Sequence, residues 1–134
     1  MHVDGACFCG FLTFAAEVDP DAVTICNCTD CQKLSGTAFR VVVPVKEGTF
    51  RLLSGEPTIF VKTAESGNQR KLAFCPRCGT NIYSAPGNTA STFFGLRLGA
   101  LRQARELVPK EQLWLRSALP WVNDIGGIPG TDAE

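Results

Sequence analysis

The residues able to do chemistry in this chain are its cysteines. There are seven, and all fall into three clusters: Cys7 and Cys9, then Cys26, Cys28 and Cys31, then Cys75 and Cys78. Scattered core cysteines would not group in this way. Thiolates at C-x-C and C-x-x-C spacing converge on one soft or borderline metal, and zinc is the first expectation. A disulfide framework prefers an even count and an oxidising compartment. Two other readings stand beside the metal. Each pair could be buried free thiols acting as small hydrophobes. A redox C-x-x-C would want a thioredoxin-like βαβ setting, which the chain lacks.

Cys75-Pro76-Arg77-Cys78-Gly79 has the form of a zinc knuckle. Two cysteines three apart in a tight turn place both sulfurs on one ion, and Gly79 permits the left-handed backbone that aims amides at them. A closed tetrahedral site needs four ligands, and Cys7-Phe8-Cys9-Gly10 supplies the other pair. Four thiolates leave no coordination position free.

Cys26, Cys28 and Cys31 remain. Three protein ligands leave a fourth position for water or substrate, which is the pattern of catalytic zinc. His2, the single histidine, or Asp30 inside the loop could close it instead. The cluster could also be a second structural site or a thiol group that oxidises to a bridge. Three thiolates on a divalent ion leave a net negative charge, so such zinc is a weak Lewis acid. It suits a soft ligand, such as a substrate thiol held as nucleophilic thiolate. Thiol chemistry is therefore expected before hydrolysis. Asn27 and Thr29 read as loop residues whose amides matter more than their side chains. Lys33, Arg40, Arg70, Lys71 and Arg97 could contact an anionic substrate, but each reads first as a solvated surface charge.

These groups must be positioned by a chain of 134 residues with 13 acids and 13 Lys or Arg. That length fits one domain over 1–134, large enough for a core without disulfides. The neutral balance and the lack of an aromatic–basic strip argue against a nucleic-acid partner. No apolar run approaches the roughly 18–20 residues of a membrane span. The N-terminus lacks the basic and apolar regions of a secretory signal, so a cytoplasmic protein is expected. Short strands are expected at 11–18, 37–45, 49–53, 58–63, 69–75 and 80–85, separated by Gly, Pro and Asn turns. Residues 5–10 read as a tight turn and 22–26 as a short apolar run. Residues 29–34 predict one helical turn, capped by Thr29 or Asp30 and stopped by Gly36. Residues 90–101 predict one or two strands, 102–108 a short helix or loop, and 111–115 an extended segment. The tail from Pro120 is expected to pack through Trp121 and to fray from about 122. Together these predict an all-β, mainly antiparallel fold of small packed sheets joined at cysteine-bearing turns.

The three clusters, in this order, resemble the glutathione-dependent formaldehyde-activating enzyme family, whose domain also occurs in centromere protein V. The matching residues are Gly5-Ala6-Cys7-Phe8-Cys9-Gly10, Cys26-Asn27-Cys28-Thr29-Asp30-Cys31 with Gly36, and Phe74-Cys75-Pro76-Arg77-Cys78-Gly79-Thr80. The stretch from Pro109 to Trp121, with Trp114, is similar to the family's closing segment. The resemblance implies a β-tent fold. It implies a structural zinc on Cys7, Cys9, Cys75 and Cys78 and a labile, catalytic zinc on Cys26, Cys28 and Cys31. It also implies a carbon–sulfur lyase activity, with glutathione adding to formaldehyde to give S-hydroxymethylglutathione. The chain departs from the family's habit at Asn27, where His is frequent, and at Gln32, where Arg is frequent. Both departures bear on substrate recognition. The alternative expectation is a non-catalytic zinc-stabilised module that binds glutathione or a protein partner.

Overall fold

The computed structural model describes residues 1–88 and 91–134. Two sheets carry the described residues. The first has three strands in the order β1 (His2–Ala6), β2 (Thr13–Glu17) and β5 (Arg51–Ser54). The second has seven, in the order β10 (Glu111–Leu113), β3 (Thr24–Cys26), β4 (Arg40–Pro44), β9 (Gly95–Arg97), β8 (Asn81–Pro86), β7 (Gln69–Phe74) and β6 (Thr58–Thr63). Neighbours are antiparallel except β10 and β3, which run parallel. The mainly β, antiparallel expectation is met.

The strands at 58–63 and 69–75 lie where the sequence placed them. Strand β1 was missed. His2-Val3-Asp4-Gly5-Ala6 hides its alternation, because its second inward residue is a glycine. Val3 is fully buried. Gly5 faces Phe14 across the β1–β2 pair and Ala100 behind it, where any Cβ would collide with both. The segment 90–101 begins outside the described residues. Within it, Gly95–Arg97 is a strand and Leu98–Ala100 a 3-10 turn. Residues 104–106 form another 3-10 turn. In the tail, the buried side chain is Val122 and not Trp121, which stays about half exposed, and Val122–Gly127 is a 3-10 helix.

Val3, Leu12, Phe14, Val18, Val43, Ile82, Leu96 and Leu107 form the core. Each such side chain taken out of water contributes about 1.5–3 kcal/mol. Phe50, Tyr83 and Phe94 pack as a ring cluster against Phe14, with centroids 4.6–5.9 Å apart. Cys7 and Cys75 belong to the same core. The first cysteine cluster is therefore built into the packing that holds the fold.

The one α-helix among the described residues, α1 (Thr29–Ser35), follows β3 directly. Its stop is Gly36, in the left-handed conformation with φ 72°, and the Gly36 amide donates to the Gln32 carbonyl. Its N-cap is Cys28 rather than Thr29 or Asp30. The Cys28 sulfur accepts the Cys31 amide at 3.3 Å, as a capping serine oxygen would. One residue thus starts the helix and presents a sulfur.

Candidate functional site

The seven cysteine sulfurs gather into two groups. Those of Cys7, Cys9, Cys75 and Cys78 lie within 4.8 Å of one another, and so do those of Cys26, Cys28 and Cys31. Each group could hold a metal ion. The first joins the β1–β2 turn to the β7–β8 turn. Cys9 lies 3.6 Å from Cys7 and 3.8 Å from Cys75, sulfur to sulfur. Backbone amides point at the sulfurs: Leu12 donates to Cys7 at 3.2 Å and Arg77 to Cys75 at 3.4 Å. Gly79 is left-handed, φ 77°, and its amide closes the knuckle onto the Cys75 carbonyl. The Thr80 hydroxyl lies 3.2 Å from Cys78, and with the Thr80 amide it brings that thiol down to about 5. Donors aimed at sulfur favour the thiolate, the form that ligates metal. The donor set fits a four-thiolate zinc.

The second group stands at one end of a sheet face. Side chains alternate along a strand, so cross-strand partners share a face. Leu113 pairs with Cys26 and Cys26 with Arg40. Val42, two residues on from Arg40, pairs with Arg97. Gly95, two before Arg97, pairs with Ser84, which pairs with Leu72. Arg70, two before Leu72, pairs with Lys62. From β10 to β6, one face therefore carries Leu113, Cys26, Arg40, Arg97, Ser84, Arg70 and Lys62. Helix α1 covers its Cys26 end and adds Cys28 and Cys31. A cleft of about 250 Å³ lies between, with Leu34, Val42, Phe93 and Trp114 as apolar walls.

The three thiols of this group cannot share three negative charges without a cation. The hydrogen bond from Cys31 pulls Cys26 down to about 5, and the same pairing pushes Cys31 well above its ordinary range. A divalent ion would bring all three to the thiolate form. The donor set again fits zinc, with three ligands.

Of the two candidates for a fourth ligand, His2 is on the other sheet, where its Nδ1 lies 2.9 Å from Glu17. Asp30 lines the cleft but is ion-paired with Lys62 at 2.6 Å. Among the described residues neither joins the group.

Lys33 and Lys71 are exposed, as expected of surface charges. Arg40 and Arg97 are not surface charges. They are 7% and 8% exposed, on the floor of the cleft. Burial, and then Arg40 beside it, brings the Arg97 guanidinium down to about 9. Arg70 is half-buried and donates to the Phe93 carbonyl at 2.9 Å and the Ser84 hydroxyl at 3.1 Å. The signal for the pair was present in the sequence as arginines alternating with strand hydrophobics, R-V-V-V and L-R-L. The register across β3, β4 and β9 was not.

Asn27 also differs from its loop reading. Its side chain is fully buried. Its amide nitrogen donates to Gln112 Oε1 at 3.2 Å and to the Leu113 carbonyl at 3.1 Å. Gln32 donates to the Asn27 and Ser117 carbonyls at 2.8 and 2.9 Å. Asn27 and Gln32 therefore clamp the cysteine loop to β10 and to the segment after it, and neither lines the cleft. Asn27→Ala should cost about 1–3 kcal/mol by stranding these partners, read as a melting point lower by several degrees. Asn27→Asp should cost more, because it puts a charge against two acceptors. Equal melting points for all three proteins would refute the clamp. Trp114, at the cleft mouth, is the only non-glycine residue with positive φ among the described residues, at 59°. An aromatic residue in that region is strained, a condition that clusters at ligand sites.

A family model described as glutathione-dependent formaldehyde-activating enzyme matches residues 2–117. The chain belongs to this family. The match to the glutathione-dependent formaldehyde-activating family takes in all seven cysteines and the whole cleft. A crystal structure of a Rhodobacter sphaeroides protein, a structural-genomics target, is similar in fold. It has a TM-score of 0.64 at 17% identity, over 82% of this chain and 99% of that one. A search of curated proteins gives no match. Family membership ties the chain to glutathione-dependent formaldehyde activation. Among the described residues no helix is long and apolar enough to cross a membrane.

Proposed function

We propose that the chain is a zinc-dependent carbon–sulfur lyase acting between a small thiol, glutathione first, and a small aldehyde. The observation that carries this reading is the contrast between the two sulfur groups. Four sulfurs close on one another where Cys7 and Cys75 enter the core and Cys9 and Cys78 stand at its edge, whereas three face a cleft with room for a ligand. Cys7, Cys9, Cys75 and Cys78 would hold a structural zinc, and Cys26, Cys28 and Cys31 a catalytic one. Bound at the latter, zinc would keep an incoming thiol in its nucleophilic thiolate form near neutral pH.

The chain's own residues do the rest. Cys28 and helix α1 fix the cluster against the sheet, and Asn27 and Gln32 fix the loop that carries it. Val42, Leu72, Leu113, Phe93 and Trp114 give the space beside the sulfurs apolar walls. Holding thiol and aldehyde together there converts a bimolecular encounter into a local one. In the founding reaction a carbon–sulfur bond forms to formaldehyde. The carbonyl π bond opens, and the thiol proton ends on the new hydroxyl of S-hydroxymethylglutathione. The reverse cleavage uses the same groups. The clustered, unbridged thiols support a reducing, cytoplasmic setting.

Elemental analysis before and after mild chelation tests the assignment. Two zinc ions per chain should fall to one, and glutathione should protect the second. A count of one throughout, or two that resist the chelator with and without glutathione, would favour a non-catalytic module.

A further inference from the structure

Neither formaldehyde nor a thiol group as such explains the floor of the cleft. Formaldehyde is neutral and very small. Yet Arg40 Nη2 and Arg97 Nε are buried there with no hydrogen-bond partner. Among the described residues, the ion pairs join Glu17 to Met1 and His2, Asp30 to Lys62, and Asp4 to Arg102, and none includes these arginines. Apart from the cysteine cluster across the strand pair, no counter-charge among the described residues faces them, and a buried guanidinium nitrogen without a partner is costly and calls for an explanation. The carboxylate lining the cleft, Asp30, is already matched by Lys62. Three thiolates with a divalent ion carry one net negative charge, which Arg40, Arg70 and Arg97 outweigh. The cleft is left with a positive surplus beside the sulfurs, since Arg40 lies directly across the strand pair from Cys26.

We propose that Arg40 and Arg97 form a carboxylate-binding subsite that seats an anionic group of the molecule reacting at the Cys26 cluster. Planar guanidinium groups match a carboxylate in fork geometry. The apolar walls and the volume of about 250 Å³ suit a small organic anion. The carboxylate could belong to the thiol, since a peptide thiol such as glutathione carries two. It could instead belong to the carbonyl partner, an aldehyde acid of the glyoxylate class. In that case the carbon–sulfur bond forms at the aldehyde carbon, the thiol proton moves to its oxygen, and the carboxylate passes through unchanged. The subsite itself stands on the arginines, whereas its place in the reaction rests on the thiol reading above.

The test is calorimetric titration of the whole purified chain with glyoxylate, acetate, glutathione and glutathione diethyl ester. Wild type should bind carboxylates, and Arg40→Met and Arg97→Met should bind them at least tenfold more weakly. Lysine at either position should recover part of the loss. Both methionine variants should melt at or above the wild-type temperature, because each removes a buried guanidinium that has a nitrogen without a hydrogen-bond partner. Weakened binding of the ester with no binding of glyoxylate assigns the carboxylate to the thiol. Glyoxylate binding that Arg40→Met abolishes assigns it to the carbonyl partner. Equal affinities in wild type and both methionine variants, no carboxylate binding at all, or a preference for inorganic phosphate would each overturn the subsite. Zinc content and its protection by glutathione are read on the same samples. Loss of anion binding specificity with zinc protection intact sinks this inference alone. Intact anion binding without the labile zinc sinks the thiol reading alone.

Discussion

Cys75→Ser should abolish the cooperative melting transition of the native protein or lower it by about 15 °C or more. Cys75 is 1% exposed and lies in the core with Cys7. Its sulfur group is the link between the β1–β2 turn and a knuckle 66 residues later. A four-thiolate zinc contributes apparent folding energy of about 10–16 kcal/mol in small zinc domains. A domain's whole margin is about 5–15 kcal/mol. Even partial retention of metal by three remaining thiolates leaves a loss of several kcal/mol. At this chain length each kcal/mol moves the midpoint by about 4 °C. Thermal unfolding with parallel zinc analysis reads both effects. A midpoint within about 3 °C of wild type, at unchanged zinc content, would remove the structural role from this cluster.

The grouping of the cysteine sulfurs was legible because C-x-C and C-x-x-C spacing is local in sequence at each turn. Cys75-Pro76-Arg77-Cys78-Gly79 announces a knuckle by itself, and ligand counting then pairs it with Cys7 and Cys9. The strand at 58–63 was legible as a β-branched run between turn residues, and that at 69–75 as the segment leading into the cysteine knuckle. What the sequence hid depends on register between distant segments. Arg40 sits in R-V-V-V-P and reads as a strand-edge charge until β3 pairs with β4 and puts it opposite Cys26. Arg97 reads likewise until Val42 is seen across from it. The parallel β3–β10 pair is also non-local, and it gives Asn27 its partners on Gln112 and Leu113. Strand β1 was lost for a local reason, because Gly5 stands where an alternating hydrophobic would have marked it.

Those hidden registers are also what make the cleft more than a metal loop. The cysteine loop alone offers sulfurs. Placed at the end of the β10-to-β6 face, it offers sulfurs beside two buried arginines and a row of apolar side chains. Sequence could supply the nucleophilic chemistry, but the cationic floor required the sheet. The two sulfur groups also differ in how far their loss should spread. The closed group has two of its four cysteines, Cys7 and Cys75, in the core. The open group lies under a helix of seven residues, none of them fully buried.

Cys28→Ser should therefore separate chemistry from folding. The Cys28 sulfur caps α1 through the Cys31 amide and, in the proposed site, would also present a ligand to the cleft. Serine is among the best N-cap residues, so the cap survives the exchange, and a shorter hydroxyl accepts the same amide. The melting point should stay within about 3 °C of wild type, a change below about 1 kcal/mol. The ligand role does not survive, because a serine hydroxyl remains protonated and is a poor zinc ligand beside a thiolate. The labile zinc should be lost, and thiol-dependent turnover of aldehyde should fall at least about 100-fold, equivalent to about 2.7 kcal/mol of transition-state stabilisation. Cys28→Ala is the companion, losing cap and ligand together, and should add about 1 kcal/mol of destabilisation to the same loss of turnover. Turnover within twofold of wild type in Cys28→Ser, with the labile zinc gone, would show that the thiol does not react at this cluster. An unfolded Cys28→Ser beside a folded Cys28→Ala would show that the cap is not what the residue contributes.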